Sequence, residues 1–133
     1  MAKYFTIGEM LRSKKATELN IRNIPSHDVL RRLHALMDNC LDPIRALWGK
    51  PIGVNSGYRS PELNRVVGGK PTSQHQRGEA ADITTGSVEG NRKLFELILA
   101  SGIEYDQLID ESNYKWLHVS YSTTKNRKQT LHL

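Results

Sequence analysis

The stretch TSQHQRGEAADI, Thr72 to Ile83, decides how this chain is read. From Ala80 to Thr84 it alternates: Ala80, Asp82 and Thr84 share one side of a strand, Ala81 and Ile83 the other. Ala81 and Ile83 are the natural core side, so Asp82 faces away from the core. His75 lies in the loop that feeds this strand, and Gly78 lets that loop fold back toward Asp82. Ala80, next to Asp82 on the same face, leaves space there. A histidine near an aspartate is ordinary on a protein surface, so the stretch gains chemistry only if a further residue meets it.

That residue is sought in KWLHVSY, Lys115 to Tyr121. Alternation puts Trp116, His118 and Ser120 on one face and Leu117, Val119 and Tyr121 on the core face. If the two strands are neighbours, Asp82 and His118 converge and His75 reaches the same point. Two histidines and a carboxylate with room for a fourth ligand are the ingredients of a catalytic zinc site, where the metal lowers the pKa of bound water to about 7 and polarises a carbonyl. A surface histidine satisfied by an aspartate is the competing reading, and alternation alone leaves both open.

Around these strands the pattern is α+β, with helices first and then a small, mainly antiparallel sheet holding one inserted helix. Thr6 and Glu9 form a capping box for a short helix carrying Ile7, Met10 and Leu11, and Asn20 to Pro25 reads as a connection. Ser26 caps a second helix with apolar positions from Val29 to Ile44, which is expected to kink or restart at Asp42-Pro43 and end at Trp48-Gly49. Ile52 to Ser56 reads as a strand, Ser60-Pro61 opens a helix that Gly68-Gly69 stops, and the chain from Gly68 to Arg77 reads as loop. Ser87 caps a helix that ends at Gly102. Tyr105 to Glu111 and Lys115 to Tyr121 form a hairpin, and residues 122–133 read as a polar, basic, peripheral tail.

The 133 residues suit one domain, with a core over about residues 5–121. A 38% hydrophobic and 25% charged composition is that of a folded globular protein. The single cysteine, Cys40, rules out an internal disulfide framework or a cysteine-based zinc site and falls in the apolar helical pattern, as a buried structural thiol does. No apolar run approaches the roughly 20 residues of a membrane span, and MAKYFTIGEML has no export-signal pattern, so the expectation is a product cytoplasmic as synthesised and not inserted in a membrane. The net charge of +5 favours polyanionic partners, but Lys14-Lys15, Arg31-Arg32 and Lys125 to Lys128 are short and separated, without interleaved aromatics. They read as solvated surface, and a nucleic-acid partner is not expected. His27, His34 and His132 have no partner pattern and are assigned no role.

The segment SQHQRGEAAD, Ser73 to Asp82, resembles the S-x-H-x-x-G-x-A-x-D pattern of the zinc D-alanyl-D-alanine carboxypeptidase superfamily, which includes phage L-alanyl-D-glutamate endopeptidases and shares its fold with the hedgehog signalling domain. SGYRSPELN, Ser56 to Asn64, and the later DQLIDE and WLHVS resemble the small, phage-like branch. The resemblance implies that His75, Asp82 and His118 bind Zn2+, that Arg59 binds the scissile carbonyl oxygen or a substrate carboxylate, and that Ser73 hydrogen-bonds substrate or a ligand. Many members carry an acid three positions before the last histidine, where this chain has Lys115, which cannot take a proton from water unless its pKa is strongly depressed. Glu111 is the expected general base, with Asp110 as the alternative.

The resemblance further implies a monomeric zinc metallopeptidase acting on peptidoglycan stem peptides, as a D,D-carboxypeptidase or a murein endopeptidase of phage or prophage lysis. A cytoplasmic D,D-dipeptidase and a zinc-binding module of the same fold without activity are the alternatives.

Overall fold

Side-chain hydroxyls start most of the helices. The computed structural model describes residues 2–133 and contains α1 (Ile7–Leu11), α2 (Lys14–Glu18), α3 (His27–Leu36), α4 (Asp42–Trp48), α5 (Pro61–Val66) and α6 (Val88–Ser101). Thr6, Ser13, Ser26, Ser60 and Ser87 accept a hydrogen bond from the backbone N–H three residues on, at 2.9–3.3 Å, and so cap α1, α2, α3, α5 and α6. Each such cap is worth about 1 kcal/mol. The capping box at Thr6 closes as expected, with the Thr6 N–H donating to the Glu9 carboxylate at 3.0 Å.

One helical feature departs from the sequence reading and another refines it. The first is α2, a short helix that lacks a buried apolar stripe long enough to register as periodicity and buries only Ala16. The second is the junction at Asp42-Pro43. Helix α3 runs through a π turn, Met37–Leu41, directly into α4, and the Asp42 N–H donates to the Met37 carbonyl five residues back. Pro43 has no N–H to continue the ladder and its ring crowds the carbonyl four residues earlier, and the wider turn absorbs that misfit without a break. Asp42 does not cap its own helix. Its carboxylate accepts the backbone N–H groups of Lys3 and Tyr4 and so ties the chain's start to α4.

The sheet has five strands, β1 (Gly53–Ser56), β2 (Ala80–Thr84), β3 (Gln107–Glu111), β4 (Trp116–Ser120) and β5 (Gln129–His132), in the order β1-β2-β4-β3-β5. All neighbouring pairs are antiparallel except β3 and β5, which are parallel. The tail expected to be peripheral therefore supplies an edge strand. Its apolar content is too low to mark it as one; its attachment comes from backbone pairing and from Asp106, whose carboxylate accepts the Arg127 backbone N–H and both ends of the Arg127 guanidinium at 2.7–3.0 Å. The hairpin between β3 and β4 turns through Ser112, Asn113 and Tyr114, all at positive φ, and buried Asn91 of α6 donates to the carbonyls of Tyr114 and Lys115.

One face of this sheet is the core. Ala81, Ile83, Leu108, Leu117 and Val119 pack there against Leu33, Leu36, Leu41 and Ile44 of the long helical run and Leu94, Phe95 and Ile98 of α6. Cys40 is fully buried in the same cluster, and burial pushes its thiol up to about 12, as for an inert structural cysteine. No helix is long and apolar enough to cross a membrane among the described residues. The opposite face of the sheet carries Asp82, Glu111 and His118 together with Ile109 and Trp116.

Gly78 decides how the loop before β2 reaches that face. It closes a 3-10 turn, Gln74–Arg77, at φ 76°, and a Cβ there would lie 2.7 Å from the Val29 carbonyl oxygen and 2.9 Å from Val29 Cγ1. Gly78→Ala therefore combines backbone strain with overpacking and is expected to destabilise the fold by about 2–4 kcal/mol. Gly68→Ala, at φ 79° with no atom within 4 Å of the added carbon, is expected to cost only about 1 kcal/mol. Equal losses for the two variants in chemical denaturation would contradict this assignment.

Candidate metal centre

Strand pairing brings the site together. The register of β2 and β4 sets Asp82 directly opposite His118, on the face away from the core, as alternation requires. The 3-10 turn carries buried His75 across the same face. His75 Nε2 lies 3.4 Å from Asp82 Oδ1, and His118 Nδ1 lies 3.2 Å from the same oxygen. The three potential ligand atoms all fall within 4.8 Å of one another.

These separations suit a shared metal. Bonds of 2.0–2.2 Å from a tetrahedral zinc to nitrogen and oxygen place neighbouring ligand atoms about 3.4 Å apart. Protonation geometry points the same way. His75 Nδ1 donates to the Gly57 carbonyl at 2.7 Å, which fixes the tautomer and leaves the Nε2 lone pair facing Asp82. Gly57 can offer that carbonyl because it packs against Met10, where a Cβ would lie 2.4 Å from the Met10 carbonyl oxygen. Burial works to raise the Asp82 carboxyl pKa, but the His118 and His75 imidazoles beside it outweigh burial and hold the group well below the usual carboxylate range. An ionised carboxylate and two imidazoles, with three protein donors and an open side, fit a catalytic zinc ion.

Arg59 backs this cluster. Its Nη2 reaches Asp82 Oδ2 at 3.4 Å, its Nε donates to Ser56 Oγ at 3.1 Å and its Nη1 to Asn64 Oδ1 at 3.3 Å. Holding Oδ2 turns Oδ1 toward the two histidines. Three of the five guanidinium N–H groups are thus engaged, which leaves two for another acceptor. Asn64 is a residue that the sequence reading missed. It is buried on α5, and its amide also donates to the Lys70 carbonyl at 2.9 Å, which braces Arg59 from behind.

A groove of about 670 Å³ runs over the cluster, lined among others by Arg59, Ser73, His75, Asp82, Glu111 and His118. Ser73 Oγ accepts the His75 backbone N–H at 3.2 Å, so it caps the turn that carries this histidine while it also lines the groove. Gln74 of the same turn donates to Asp106 at 2.9 Å, so the acid that clamps Arg127 also steadies the neighbour of His75. Arg127 likewise lines the groove, which the reading of residues 122–133 as peripheral could not anticipate.

Register places the two acids on opposite faces of β3. Ile109 pairs with His118 and Glu111 with Trp116, so Glu111 shares the groove face, as a diagonal neighbour of His118 roughly 7–8 Å away. Trp116 Nε1 donates to Glu111 Oε2 at 2.8 Å and fixes the carboxylate, a role for Trp116 that the sequence did not reveal. Asp110 pairs with Leu117 and points to the core side, where it is buried and bonded to His132 Nδ1. Asp110 thus does not line the groove. His132, expected to have no partner, has one, and its ring also packs on Phe95 at 5.4 Å. Lys115 is exposed and does not line the groove.

The sequence model of the Peptidase M15 family matches residues 3–120. The chain belongs to the peptidase M15 family. The match takes in α1 through β4 and every residue of the His75, Asp82, His118 cluster, and leaves β5 outside it. The chain is also similar to the zinc D-Ala-D-Ala carboxypeptidase of Streptomyces albus G, 50% identical over 42 residues. That stretch is 32% of this chain and 16% of the Streptomyces protein, so the likeness covers a small part of the relative. The α+β architecture agrees with membership of the M15 family.

Proposed function

We propose that this M15 protein is a zinc peptidase that hydrolyses peptide bonds in peptidoglycan stem peptides. The observation that carries the reading is the convergence of His75, Asp82 and His118 on one point of an open groove, with a tryptophan-held carboxylate, Glu111, on the same sheet face. Zinc held by His75 Nε2, Asp82 Oδ1 and His118 Nδ1 would supply a water of pKa about 7 and a Lewis acid for the scissile carbonyl.

The chain's own groups complete the chemistry. Glu111 takes the proton from the attacking water on its free Oε1 and returns it to the leaving amine. Arg59 offers its two remaining N–H groups to the carbonyl oxygen as negative charge develops there, or to a carboxylate next to it. His75 is kept in one tautomer by Gly57, and Asp82 in one orientation by Arg59, so the ligand set is preorganised before substrate arrives. The substrate class is supported by the family and by the Streptomyces relative, whose name specifies a D-Ala-D-Ala bond.

The test is to add zinc to metal-free protein and incubate it with purified peptidoglycan. New amino groups are expected, with mass spectrometry of the muropeptides identifying the bond cut, and chelation is expected to stop their release. Zinc binding without any release from peptidoglycan or soluble stem peptides would overturn the enzyme reading in favour of a silent zinc-binding module.

A further inference from the structure

A second groove, about 750 Å³, adjoins the metal groove, and Arg59 and Val67 line both. Its rim carries Arg12, Lys14 and Lys15, contributed by the end of α1 and the start of α2. All three side chains are exposed, and none forms an ion pair among the described residues. Glu18 is the one acid of the lining, and although it lies one turn beyond Lys14 it does not pair with it. Val54, Leu63 and Val67 supply apolar surface, and Ser13, Asn55 and Ser56 supply neutral hydrogen-bonding groups. In sequence Lys14-Lys15 is a short basic pair with nothing to distinguish it from solvated surface. The fold sets it beside the arginine that holds a metal ligand.

From this we infer that the second groove is a substrate subsite for the carboxylate-bearing part of the peptide whose scissile bond lies over the metal centre. The inference rests on the peptidase reading and adds to it a substrate class, an acidic extended chain. An extended residue spans about 3.3 Å, so a chain crossing Arg59 from one groove enters the other within a few residues. Three unpaired cations facing a concave surface make the local potential positive and favour carboxylates over neutral side chains. The apolar surface suits the methyl and methylene groups between them. Exposed pairs gain little individually, so selectivity comes from the three acting together and falls with salt.

The experiment uses a soluble stem peptide that the enzyme cleaves, extended at its amino or its carboxyl end by two glutamates or by two glutamines. In wild type the glutamate extension at one of the two ends is expected to lower KM about tenfold relative to glutamine, with kcat unchanged. In Arg12→Gln/Lys14→Gln/Lys15→Gln that preference is expected to vanish, the KM of the glutamate-extended peptide rising to that of the glutamine-extended one. The same comparison by fluorescence anisotropy on metal-free protein, with a dye-labelled glutamate-extended peptide, separates the subsite from the chemistry. Binding that weakens in the triple variant and at physiological salt supports the subsite even if no peptide is cleaved, in which case the peptidase reading alone fails. Equal affinity for the glutamate and glutamine forms at both ends, or a preference that survives in the triple variant, would overturn the inference.

Discussion

His75→Ala is expected to remove both zinc binding and activity while the fold survives. His75 would supply one of three ligand atoms and is positioned from two sides, by the Gly57 carbonyl on Nδ1 and by the Ser73 hydroxyl on its backbone N–H. Removing a partner that merely orients a metal ligand typically costs 10–100-fold in metal affinity, so losing the ligand itself should weaken zinc binding by more than about 100-fold. Because zinc binds the folded state, a concentration of about 1,000 times the dissociation constant stabilises that state by about 4 kcal/mol. Wild-type protein should therefore show a clear rise in thermal midpoint on adding zinc, and His75→Ala at the same concentration little or none. Proton and metal compete for the same ligand lone pairs, so zinc should also be released as pH falls. A variant that keeps its zinc-dependent rise in midpoint would show that His75 is not a ligand.

Glu111→Gln is expected to separate metal binding from turnover. The amide keeps an acceptor for Trp116 Nε1, so the side chain stays where the indole holds it at 2.8 Å. It cannot accept a proton from water at neutral pH, and loss of a positioned general base lowers kcat by about 10²–10⁴-fold. Zinc affinity and the metal-induced rise in midpoint should be unchanged, since Glu111 lies outside the ligand group. Asp110→Asn gives the contrast. Asp110 is buried on the core side against His132, so the change should reduce stability and leave kcat close to wild type. The reverse pattern, with kcat collapsing in Asp110→Asn and persisting in Glu111→Gln, would reject the assignment of Glu111.

Much of the centre was legible in the sequence because side-chain parity in a strand is local. Once Ala81, Ile83, Leu117 and Val119 are taken as core, Asp82 and His118 must face the other way, and the structure buries the first four and pairs the last two directly. The hydroxyl caps at Thr6, Ser26, Ser60 and Ser87 were equally readable, since a cap involves a side chain and a backbone group three residues apart. Less was legible where pairing runs between distant segments. Strand β5 has neither alternation nor apolar weight, and it exists because β3 offers a free edge and Asp106 grips Arg127. The π turn arises from the demand of one proline within an otherwise unbroken helical run, and the sequence reports the proline without saying whether the helix will break or widen.

The sequence by itself determined the starts of α1, α3, α5 and α6, the outward faces of β2 and β4 and, through the spacing of His75, Gly78 and Asp82, the residue types a metal would need. These follow from backbone stereochemistry over a few residues. Only the tertiary structure put Glu111 on the groove face and Asp110 on the core side, gave His132 a partner, made Arg127 part of the groove and brought Lys14 and Lys15 to the flank of Arg59. Each of those depends on strand register or on the packing of segments far apart in the chain, and such contacts are set by the burial of the whole core.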